Sequence, residues 1–144
     1  MAIMDKLFNT EFEVSMRLLM ALDNVSYINE DEIARLDFFA VYAEHYGFGD
    51  SNLNGPCTFP LSEFTIQRKL IKNSLKELLF KGIVTVRSDS NKGFIYAITD
   101  LGKSHILDMN DEYSKKYKQY MKQIVKELSP ITMQKLKDRT KGVR

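Results

Sequence analysis

Apolar residues recur every three or four positions through "TEFEVSMRLLMALDN": Phe12, Met16, Leu19 and Met20 share one face, and Val14, Leu18 and Leu22 widen it. The pattern predicts a first, largely buried helix. "NEDEIARLDFFAVYAEHYG" predicts a second. Asn29 stands at its N-cap, Glu32 completes an Asn variant of the capping box, and acidic side chains crowd the end that the helix dipole favours. Ile33, Leu36, Ala40 and Ala43 line the inward face, and Gly47 marks the stop. Residues 47–60, "GFGDSNLNGPCTFP", hold three glycines, two prolines and two asparagines, and predict a loop long for a compact domain.

Helical periodicity resumes in "LSEFTIQRKLIKNSLKELLFKG". Ser62 is the expected cap, Ile66, Leu70, Ile71, Leu75, Leu78 and Leu79 are the expected inward positions, Gly82 follows the end, and a break near Gln67 is left open. "IVTVRSD" and "FIYAIT" are β-branched and aromatic runs joined by "SNKG", where Asn91 and Gly93 suit a turn that needs positive φ. Thr99 or Asp100 then caps a further helix. From Lys103 to Leu128 a single long helix is predicted, with Ile106, Met109, Tyr113, Tyr117, Tyr120, Ile124 and Leu128 forming a seam at three- and four-residue steps. One small domain covers such a seam only in part. The chain's own first helix and an interface with a second copy or a partner both remain open as its cover.

The expected fold is therefore mainly α with a small β-hairpin. Its element order is that of a winged helix-turn-helix with an additional N-terminal helix and a long C-terminal helix. Residues 1–102 form the winged-helix part, and residues 103–144 a helical extension with a basic tail in the same folding unit. The chain has 144 residues and is 44% hydrophobic, enough for one domain with a real core. No run approaches the length of a membrane span, and "MAIMDKLFNTEF" lacks the cationic start and long apolar run of a signal peptide, so a cytoplasmic location is expected. The single cysteine, Cys57, excludes an intrachain disulfide and fits a reducing compartment.

The formal net charge of +2 conceals a separation. Residues 1–60 carry three basic and ten acidic side chains, whereas residues 113–144 carry ten basic and two acidic ones. That asymmetry favours oriented docking on a charged partner. On the third helix Arg68, Lys69, Lys72 and Lys76, with Arg87 and Lys92 on the hairpin, form a stripe able to neutralise phosphates, although a solvated face explains it equally. Catalytic signatures are absent from the sequence. His45 and His105 stand sixty residues apart with no partner at metal-ligand spacing, and no phosphate-cradling glycine loop, nucleophile elbow or dinucleotide fingerprint occurs. No enzyme activity, metal or cofactor is expected. Arg17 and Asp37 are different, because each interrupts an apolar stripe. An unpaired buried charge is costly, so the economical expectation is an ion pair that clamps the first two helices.

"LFNTEFEVSMRLLMAL", "DEIARLDFFAVYAEH", "NLNGP", "RKLIKNSLKELLFKGIV" and "GFIYAITDLGKSHI", in that order over residues 7–121, resemble the middle component, second class, of bacterial ABC-three-component systems. Phe8, Phe12, Glu13, Arg17 and Leu19 match that family's opening motif, with Thr10-Glu11 in place of a small residue and proline. Leu36, Asp37, Phe38 and His45 match its second motif, and Arg68, Leu70, Ile71, Leu75 and Leu78 its fourth, with Ser74 replacing a glycine. Its proline loop survives only as Leu53 and a displaced Pro56. The resemblance implies a non-catalytic accessory subunit that docks on an SMC-like ABC ATPase and an effector, often a nuclease. The setting would be a defence complex against phage or plasmids, of the Lamassu type. The alternative is a winged-helix transcription regulator, against which stand the acidic first sixty residues and the long loop. DNA contact, if any, is expected to be weak and non-specific.

Overall fold

The computed structural model describes residues 11–56 and 58–127. Helix α1 (Glu11–Asn24) opens with Glu11 and Glu13 in its first turn and buries Val14, Arg17 and the run Leu18–Leu22. Phe12, expected inward, is instead 68% exposed, at the border of an open pocket shared with Leu78, Lys81 and His105. After α1 the chain turns at Tyr27, whose φ of 60° is positive, and the Tyr27 amide donates to the Tyr96 carbonyl at 2.7 Å. Strand β1 (Ile28–Asn29) follows directly and has only two residues.

Asn29 ends β1 and caps α2 (Glu30–Val41): its side chain accepts from the Glu32 amide at 2.8 Å, and Glu32 Oε1 accepts from the Asn29 amide at 3.1 Å. The capping box thus fixes the strand-to-helix corner. Helix α2 is enclosed on nearly every side, with Ile33, Ala34 and all of Leu36–Val41 buried. A short helix α3 (Ala43–Tyr46) stops at Gly47 in the left-handed conformation. The segment after it folds back onto α2: the Leu53 amide reaches the Val41 carbonyl at 2.8 Å, and Phe48 meets Phe39 edge to face. Cys57 lies outside the described residues.

Helix α4 (Pro60–Phe80) begins two residues before the expected Ser62 cap, with Pro60 in its first turn and Phe59 at the N-cap. Proline lacks an amide hydrogen, and the first helical turn leaves its amides without carbonyl partners anyway. The helix runs unbroken past Gln67, and Ile66 points outward, 58% exposed. Strands β2 (Val84–Asp89) and β3 (Gly93–Ile98) pair from Val84↔Ile98 to Asp89↔Gly93. Their turn is closed by Asp89, whose carboxylate accepts from the amides of Asn91 and Lys92; Gly93, but not Asn91, has positive φ. The sheet is three-stranded, antiparallel and ordered β1-β3-β2. A two-residue strand carries no periodicity, so β1 left no trace in the hydrophobic pattern.

The long C-terminal helix is two helices. Thr99 caps α5 (Asp100–Ile106), and after a turn at 107–111, Asp111 accepts from the Ser114 amide and hydroxyl as α6 (Glu112–Glu127) starts. Short polar side chains in "LDMND" compete for backbone groups and favour the turn, which swings Met109 into the core. Lys118 staples the corner by donating to the carbonyls of Met109 (2.6 Å) and Ile106 (3.2 Å). Helix α6 packs on both α1 and α2, so its buried residues belong to the same core as theirs. No described helix is long and apolar enough to cross a membrane.

Candidate functional site

Four helices meet at Asp37. Arg17 on α1 donates from Nε to Oδ1 at 2.8 Å and from Nη2 to Oδ2 at 3.2 Å. Gln67 on α4 donates to Oδ2 at 2.9 Å, and the Tyr117 hydroxyl on α6 to Oδ1 at 2.7 Å. The carboxylate accepts four hydrogen bonds, and both charged side chains are wholly buried. Burial alone would pull the Arg17 pKa down, but the Asp37 charge overrides it and holds the guanidinium more firmly protonated than usual. Burial, reinforced by Asp37, pushes the Tyr117 hydroxyl well above its ordinary value and the half-buried Tyr113 hydroxyl up to about 12. Such a cluster locks protonation states and helix positions. Enclosed from solvent, it has no face to offer a substrate.

Gln67 and Tyr117 are the members that the sequence did not point to. Gln67 does interrupt the stripe Phe64, Ile71, Leu75 and Leu78, a signal of the same kind that exposed Asp37. Tyr117 belongs to the seam, and the seam is closed from within: Ile106, Met109, Tyr117, Tyr120 and Ile124 are buried in the chain's own core. Tyr113 is half-buried and donates to Asn54 Oδ1 at 2.7 Å. These side chains are therefore not an open surface for a partner or a second copy, because α6 lays its apolar face on α1 and α2. Tyr120 also ties the long loop down through Asp50 at 2.5 Å and Ser51 at 2.7 Å. That hydrogen bond holds the Asp50 carboxyl below the usual range. Leu128 and the basic residues beyond it lie outside the described residues.

The proposed phosphate stripe divides. Arg68 pairs with Asp31, Lys92 with Glu32 at 3.1 Å, and Arg87 lies over the Tyr27 ring at 3.8 Å from its centre. Lys69, Lys72 and Lys76 are exposed on α4 and have no ion pair among the described residues. Arg35, Arg68, Lys69 and Lys72 border a groove of about 460 Å³ between α2 and α4. His45 is exposed and meets the Tyr46 ring edge-on. Among the described residues no three His, Cys, Asp or Glu side chains are grouped to hold a metal ion.

The model of the ABC-three-component system Middle Component 2 family matches residues 7–142. The chain belongs to that family. In this Middle Component 2 chain the matched span includes all four helices that supply the Asp37 cluster. No curated protein and no solved structure matches. As a middle component it is one part of a system of several components.

Proposed function

We propose that this middle component is a non-catalytic accessory subunit that docks on an SMC-like ABC ATPase and links it to an effector, often a nuclease, in a Lamassu-type defence complex. Family membership over residues 7–142 is the observation that carries this reading. The fold supports an adaptor of winged-helix type. The order helix, short strand, helices, hairpin, with β1 beside β3, supports a winged-helix reading, and such domains serve protein docking as well as DNA reading. Three of the six candidate phosphate-binding cations already engage groups of their own chain, which favours protein contact. Copurification tests the proposal. The chain coexpressed with the ABC ATPase of its own system should coelute with it, and the chain alone should hydrolyse neither ATP nor nucleic acid. Failure to coelute, or hydrolysis that vanishes when one of its carboxylates is changed, overturns it.

The exposed Lys69, Lys72 and Lys76 favour a second activity, loose DNA contact. Three phosphate contacts would make affinity fall roughly fortyfold over a fourfold rise in salt, whatever the sequence. A tight complex with one operator at moderate salt would identify a transcription regulator instead.

A further inference from the structure

The groove of about 460 Å³ between α2 and α4 changes character along its length. On the α4 side its border is Leu61, Phe64, Thr65, Arg68, Lys69 and Lys72, which share one helix face over roughly 16 Å at 1.5 Å per residue. One end is apolar and the other cationic. Leu61 is 51% exposed, and the next turn brings the Phe64 ring to the border. Glu30 and Arg35 face them from α2. Asp31 engages Arg68 and comes within 4.0 Å of Arg35. The surplus of positive charge therefore rests on Lys69 and Lys72, both exposed and without an ion pair among the described residues.

We propose that this groove receives an acidic amphipathic helix of a partner protein, its apolar side chains over Leu61 and Phe64 and its carboxylates against Lys69 and Lys72. Complementary charge sets the sign of the occupant, and the apolar end asks for more than charge. A DNA backbone brings phosphates but no apolar group to cover Leu61, and Glu30 on the border repels it. An extended segment would need partners for its own amides and carbonyls. The groove supplies few, since the Thr65 hydroxyl already donates to the Leu61 carbonyl at 2.9 Å and the α4 backbone is bonded within the helix. A helix satisfies its own backbone and lays only side chains into the groove. Five basic side chains against one acidic make residues 128–144 of this chain a poor match in charge. Only the claim that the helix belongs to another component of the same system rests on the accessory-subunit reading.

The test titrates the full chain into a fluorescein-labelled synthetic helical peptide and follows anisotropy. The peptide carries glutamates in its first half, where its own dipole favours them, and leucines in its second. Saturable binding is expected. Replacing the glutamates by glutamine should weaken it about tenfold, and so should Lys69→Glu with Lys72→Glu in the chain. Leu61→Ser should weaken it severalfold, whereas Lys122→Glu, a charge reversal on α6, should not. All four positions are exposed, so each variant should keep the wild-type thermal melt. Absence of saturable binding, equal binding of the glutamine peptide, or indifference to the Lys69, Lys72 and Leu61 changes overturns the proposal. So does a DNA duplex that binds more tightly than the peptide and responds to the lysine changes but not to Leu61→Ser, since the groove would then track phosphates. In the coeluted complex, carbodiimide joins amines directly to carboxylates and should link Lys69 or Lys72 to another component; links only to a second copy of this chain would overturn the partner. If the peptide binds as expected but the wild type does not coelute with the ATPase, the groove stands and the accessory role falls. If coelution survives Lys69→Glu with Lys72→Glu and no such link forms, the groove is not the docking point and the accessory role stands.

Discussion

The Asp37 carboxylate satisfies donors from α1, α4 and α6 at once, so three helices depend on one side chain of a fourth. Arg17→Ala should cost about 3–5 kcal/mol in urea denaturation, since it strips the counter-ion from a fully buried charge. The double change Arg17→Met with Asp37→Leu should recover part of that loss but not all, because Gln67 and Tyr117 then lose their acceptor; strict additivity would argue against the pairing. The tyrosines set the alkaline limit. Tyr113 is raised in the folded state to about 12 from 10.0, so the unfolded chain releases that proton first. Stability from this group is intact below pH 10, falls between pH 10 and 12, and Tyr113→Phe should flatten that limb by roughly 2–3 kcal/mol in a pH series of unfolding curves. The Arg17–Asp37 pair was legible in the sequence because two charges broke apolar stripes. Its other donors were not, since periodicity tells which face of a helix turns inward but not which inward residue meets which.

At the scale of elements, the phrase "ITDLGK" acquires a physical meaning. Thr99 accepts from the Gly102 amide and donates to the carbonyls of Gly82 and Ile83, so one hydroxyl joins the end of β3, the turn before β2 and the first turn of α5. Gly102 lies so close to this junction that a Cβ there would sit 2.5 Å from the Ile83 carbonyl oxygen. Gly102→Ala should therefore destabilise the chain by about 1–3 kcal/mol, read as a lowered melting temperature, even though alanine favours helix. Ser74 offers the opposite case. Its buried hydroxyl has no partner among the described residues, so Ser74→Ala should be neutral or stabilising by about 1 kcal/mol in the same assay. Helices α1, α2 and α4 and the hairpin were visible in the apolar pattern. The α5–α6 break was not, because the apolar steps continue across it while the turn depends on Lys118 reaching back to carbonyls that only a bent chain presents.

Across the whole molecule, α6 acts as a strap over α1 and α2, and it joins the last described element to the first. Introducing Asp at Tyr117 or Ile124 should unfold the chain itself, seen as loss of the cooperative melt, and not merely prevent assembly. Both side chains are fully buried, Ile124 within the apolar core and Tyr117 against Asp37, whose own charge already engages Arg17. A variant that melts normally but fails to assemble would contradict the intrachain packing. Among the described residues the surface is correspondingly left to other features, such as the exposed lysines of α4.

The strap also orders events during synthesis. The donors to Asp37 stand 20, 30 and 80 residues further along or back in the chain, and the last of them, Tyr117, leaves the ribosome long after α1 and α2. Until then the parts of α1 and α2 that α6 covers stay open, and such exposed apolar surface favours aggregation. A chain ended before α6 would leave those faces uncovered and should be cut faster by proteases than the intact chain, as limited proteolysis of the two would show.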